Sequence, residues 1–159
     1  MTKLLTIDNT EQGIILSVFR KDDRGIKVLF EERQGIIKAS ELAIKIKSVL
    51  AARHLVVNGF IWRSANVSEE KVKLKTGPAD KKKLKRLLKI ELAKHRQSKK
   101  SFIASAFVEK ISEGELAGEM VVDLSLITVS QADYSLTKIL VQKLKVPCQG
   151  FASASSLAL

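Results

Sequence analysis

The sequence predicts a mixed α/β fold in the order β-β-β-α-β, a basic helix, then β-β-α-β, with residues 1–77 and 78–159 as two subdomains sharing one core. Three observations predict it. β-branched and apolar runs punctuated by polar turns recur near both ends of the chain. Apolar residues return at helical spacing in three other segments. Between the two strand-rich halves, residues 71–100 hold 13 of the 28 Lys and Arg and only Asp80 and Glu91 among 17 acids. Subtracting these from the totals leaves 15 bases and 15 acids elsewhere, so the formal charge of +11 resides in that stretch.

In chain order, Lys3 to Asp8 and Gly13 to Arg20 form two strands around the polar turn Asn9 to Gln12. Ile26 to Glu32 follows the turn Asp22-Asp23-Arg24-Gly25 and alternates Ile26, Val28 and Phe30 with Lys27 and Glu31. Ser40 caps a helix from Glu41 to about Ala52, whose stripe is Leu42, Ile46, Val49 and Leu50. Leu55 to Val57 is expected as a buried strand. Trp62 then falls on an edge strand, and Val72 and Leu74 alternate with lysines as an exposed strand does. Gly77-Pro78 opens the basic helix, because proline is tolerated at a helix start. Its Leu84, Leu87, Leu88 and Leu92 recur at i, i+3, i+4 and i+8.

Past the polar break Gln97 to Ser101, Phe102 to Val108 and Glu119 to Thr128 are expected as two central strands around the acidic loop Ser112 to Glu119. Ser130 with Asp133 makes a variant capping box for a helix reaching Lys145, with Leu136, Ile139, Leu140 and Leu144 inward. Pro147 stops it, and Cys148 to Ala152 is a last strand before a small-residue segment. The chain ends as an amphipathic element begins, which is expected of a piece of a longer, membrane-anchored protein.

Composition limits the chemistry. At 159 residues and 45% apolar content a folded globular domain is expected, and no apolar run approaches the roughly 20 residues of a membrane-spanning helix. Cys148 stands alone, so an internal disulfide and a multi-cysteine metal site are both excluded. His54 and His95 sit near cations and offer no histidine-based metal or acid–base constellation. The candidate partner-binding residues are therefore Lys81, Lys82, Lys85, Arg86 and Lys89 on the basic helix, and Trp62. The plain alternatives are a solvated cationic back and a core tryptophan.

Two stretches resemble a known family. Leu4-Leu5-Thr6-Ile7-Asp8-Asn9-Thr10-Glu11-Gln12-Gly13-Ile14 sits where actin-like ATPases, of ribonuclease H-like fold, place their first phosphate loop. From Val121 to Leu159 run a strand, a helix ending in Lys143-Leu144-Lys145-Val146-Pro147, a short strand and a closing Ala-Leu. The pattern resembles half of an actin-like protein of the PilM type, from pilus assembly, and the cytoplasmic domain of the general secretion protein GspL. Where the family's phosphate loop has a glycine and a small hydroxyl residue after the aspartate, this chain has Asn9-Thr10-Glu11-Gln12, with a carboxylate where phosphate would lie. The second phosphate loop would lie beyond residue 159.

The resemblance therefore implies no catalytic residue, no cofactor and no metal. It implies instead a scaffold on the cytoplasmic side of a bacterial inner membrane, the soluble domain of a bitopic protein. Its partners would be a secretion- or pilus-type assembly ATPase and a polytopic inner-membrane assembly protein. Contact of the basic helix with an anionic membrane surface is compatible with this role. Self-association stays open. Two other classes compete: a nucleic-acid-binding module using the basic helix, which lacks interleaved aromatics, and a ribonuclease H-like nuclease holding Mg²⁺ between Asp8 and Asp123.

Overall fold

The computed structural model describes residues 2–78, 81–98 and 101–153, without the side chains of residues 92, 95–98, 101–105 and 107. The start of the basic helix at 79–80 and the segment at 154–159 lie outside them. The elements are β1 Thr2–Thr10, β2 Gly13–Asp22, β3 Gly25–Gln34, α1 Ala39–Ala52, β4 Gly59–Ser64, β5 Val67–Thr76, α2 Lys81–Ser98, β6 Ser101–Glu113, β7 Met120–Ser130, α3 Gln131–Leu144 and β8 Cys148–Ser153. They fall into two compact units, Met1–Val67 with Ala132–Leu159, and Ser68–Gln131. The expected division lay at 77/78. The first unit is discontinuous because β8, from the end of the chain, hydrogen-bonds in parallel to β4.

The first unit holds a five-stranded sheet in the order β3-β2-β1-β4-β8. β1, β2 and β3 form an antiparallel meander, while β4 lies parallel to β1 and β8 parallel to β4. Parallel neighbours require crossovers, which α1 and α3 supply. Leu5, Ile7, Val18, Ile46, Phe60, Trp62 and Leu140 are wholly buried. Each contributes roughly 1.5–3 kcal/mol by leaving water.

Several sequence expectations shift here. The strand is Gly59–Ser64 and not Leu55–Val57, which belongs to the connection after α1: His54 has φ 53°, the Leu55 N–H returns to Leu50 O, and Val56 is exposed. Trp62 lies inside the sheet, not on an edge, because β8 pairs beyond β4. Helix α1 starts two residues before Glu41 with Lys38 at its N-cap, so Ser40 stands in the first turn. In α3 the buried row is Asp133, Thr137 and Leu140, while Ile139 is exposed.

The second unit is a three-stranded sheet in the order β5-β7-β6, with β6 and β7 antiparallel. β7 is central and has buried residues of both parities, including Val122, Leu124, Ser125, Leu126 and Val129. β6, expected as central, is an edge. The alternating Val72 and Leu74 do belong to a strand, β5, which the summed sequence pattern omitted. Helix α2 uses its leucines on this sheet: Leu84, Leu87 and Leu88 meet Leu74, Val108, Val122 and Leu124 in a seam with no room for water.

Candidate functional site

Helix geometry sorts the α2 side chains. With the leucine seam on the sheet, Lys82, Arg86 and Lys89 at i, i+4 and i+7 form a row on the opposite side, flanked by Lys81 and Lys85. All five are exposed. Among the described residues none of them has an acidic partner, whereas Lys94 reaches Glu91 at 3.5 Å and Lys83 donates to the Pro78 carbonyl at 3.3 Å. The first turn of α2 has no acid. Its lysines therefore face the positive end of the helix dipole, an unfavourable placement of about 0.3–1 kcal/mol each.

Lys71 of β5 is placed differently. Lys71 is paired with Glu109 and, at 3.0 Å, with Glu69. Ser125 Oγ donates to Glu69 at 2.6 Å, and this hydrogen bond, with Lys71 beside it, holds the Glu69 carboxyl below the usual range. Glu109, then Glu69, push the Lys71 ammonium up.

Trp62 is wholly buried, and its Nε1 donates to Asp133 Oδ2 at 3.0 Å. Burial removes it as a surface anchor and makes it a pin between β4 and α3. Cys148 is half-buried, and burial pushes its thiol up, away from nucleophilic use.

The end of β1 holds the residue that an actin-like nucleotide site would use. Asp8 stands opposite Arg63 in the parallel β1–β4 ladder, and Arg63 Nη1 donates to Asp8 Oδ2 at 3.1 Å. Both side chains are mostly buried, and Arg63 Nε also reaches the Ser153 carbonyl at 3.4 Å. The following turn is only Glu11-Gln12, closed where Thr10 pairs with Gly13 and Thr10 Oγ1 donates to Gly13 O at 2.7 Å. Gly13, at φ 135°, backs so closely on Gln34 that a Cβ would lie 2.3 Å from its carbonyl oxygen.

A magnesium nucleotide does not fit these residues. A guanidinium already occupies the carboxylate, and the turn brings a further carboxylate, Glu11, to its tip. Asp8 belongs to β1 of the first unit and Asp123 to β7 of the second. Among the described residues no group of three His, Cys, Asp or Glu converges for a metal. Sequence reasoning missed Arg63 and the Trp62 role of Asp133; the only available signal was an arginine directly after a strand tryptophan.

No family model and no curated protein matches the chain. Among solved structures it is similar to one described as a PilM-PilN type IV pilus biogenesis complex, with a TM-score of 0.66 and 11% identity, over 95% of this chain and 47% of that one. Another is a Bacteroides thetaiotaomicron protein with an actin-like ATPase fold and unknown function, with a TM-score of 0.36 and 12% identity, over 96% of this chain and 52% of that one. The chain spans about half the length of these structures. At such identity the likeness is one of fold. The fold is mixed α/β, as expected, and is shared with the PilM-PilN structure.

Proposed function

We propose that this domain is a non-enzymatic docking scaffold of a type IV pilus, or type II secretion-like, assembly complex. The observation that carries the non-enzymatic part is the Asp8–Arg63 pair: the carboxylate at the end of β1 is spent inside the protein. The likeness in fold to a chain of a PilM-PilN complex supports the pilus assignment. In this reading the domain works on the cytoplasmic side of a bacterial inner membrane, as the soluble part of a bitopic protein. It joins an assembly ATPase to a polytopic membrane component. Among the described residues no helix is long and apolar enough to cross a membrane. The finer resemblance, to the N-terminal cytoplasmic domain of the bundle-forming pilus protein BfpC, belongs to the same proposal. The α2 face is the surface through which the domain meets its surroundings.

Affinity capture from a native lysate, with and without nuclease, tests this reading against a Lys82→Glu, Lys85→Glu, Arg86→Glu variant of equal thermal stability. The expected result is an assembly ATPase captured with or without nuclease; its loss from the variant would place the ATPase on the α2 face. Capture that disappears entirely with nuclease assigns the charge to nucleic acid. ATP hydrolysis by the purified domain that is lost on Asp8→Ala overturns the non-enzymatic reading.

A further inference from the structure

We infer that the outward face of α2 lies flat against an anionic bilayer, with its cations among the phosphates of acidic headgroups and Ile90 at the acyl boundary. This rests on α2 being the working face of the scaffold and names what that face meets. Lys82, Arg86 and Lys89 form one row with Lys81 and Lys85 beside it, all exposed and without an acidic partner among the described residues. Ile90 is 52% exposed on the same outward half, one turn past Arg86, an apolar side chain set among charges. Water solvates the cations but gives the exposed Ile90 no return, whereas an anionic interface accepts both.

The leucine seam is closed on the unit's own sheet, so the helix cannot roll its apolar face into lipid. The contact is therefore peripheral and electrostatic. Single-stranded nucleic acid would want stacking platforms, and residues 71–100 contain no aromatic.

The test is sedimentation of the full chain with vesicles of phosphatidylcholine alone and with about one third phosphatidylglycerol, at low and high salt. Binding is expected to the anionic vesicles only and to fall steeply with salt. Replacing Lys82, Arg86 and Lys89 with glutamine should lower partitioning on the order of 100-fold, about fivefold per cation. Ile90→Asn should lower it several-fold and leave the salt dependence unchanged. Equal binding to neutral vesicles, or full binding by the triple variant, overturns the inference. So does tighter binding of a duplex oligonucleotide than of anionic vesicles at the same salt, which reassigns the face to nucleic acid. Only purified chain and lipid are present, so failure here leaves the lysate result standing, and loss of the ATPase in the lysate leaves the vesicle result standing.

Discussion

Asp133→Ala should destabilise the five-stranded unit by about 2–3 kcal/mol, although Asp133 is a polar residue near a helix start. Its carboxylate accepts the Trp62 indole N–H at 3.0 Å, with Asp133 5% and Trp62 0% exposed. Truncation leaves the indole N–H buried without its acceptor, which costs about 1–3 kcal/mol. It also removes a carboxylate from the first turn of α3, where the helix dipole favours it by about 0.3–1 kcal/mol. The better helix propensity of alanine offsets roughly 0.5 kcal/mol of this. Asp133→Asn keeps an oxygen acceptor and the side-chain shape, so its loss should be about 1 kcal/mol. Trp62 is the only tryptophan, and its emission during urea unfolding reports its own surroundings. With a slope of about 1–3 kcal/mol/M the alanine variant should shift the midpoint by about 0.7–3 M. An alanine variant within about 0.5 kcal/mol of the parent, or an asparagine variant equal to it, would refute the argument.

Gly13→Ala should cost at least about 3 kcal/mol, since φ 135° strains any side chain and the new Cβ would meet a backbone carbonyl. Gly25→Ala, at φ 118° with open space around it, should cost only the backbone strain of about 1–2 kcal/mol; equal melting temperatures for the two variants would show that the Gln34 contact does not matter. Glu69 has a folded pKa below 4.5 because Ser125 and Lys71 favour its charged form. Its contribution is therefore complete above that value and disappears as pH falls through the depressed one. Glu69→Gln should flatten the acid limb of stability against pH, and an unchanged limb would show that the exposed pair contributes nothing.

Local signals carried most of the elements. β1 to β3, α1, α3, β8 and the leucine seam of α2 announce themselves because alternation, helical period and turn residues act over a few positions. The α2 cations were legible for the same reason: a helix whose leucines face one way must send Lys82, Arg86 and Lys89 the other. What failed was non-local. Leu55-Val56-Val57 has strand composition, yet the positive φ of His54 and the return of the Leu55 N–H to Leu50 make it a connection. Trp62 looked like an edge residue because nothing near it says that a strand from the end of the chain will pair beyond it. The same pairing made the first unit discontinuous, which no signal local to either end of the chain announces.

The strand-one aspartate shows how such a non-local partner changes a functional reading. By itself, an acid at the end of a first strand before a polar turn is a candidate cation ligand. Its chemistry is decided by the residue across the ladder, 55 positions away in sequence, and that residue is Arg63. A mostly buried carboxylate paired with a guanidinium has a structural role, because removing either partner leaves the other charge poorly solvated. α2 presents the opposite case. Its cations have no such partner among the described residues, and the helix dipole disfavours those in its first turn, so it is water that solvates them.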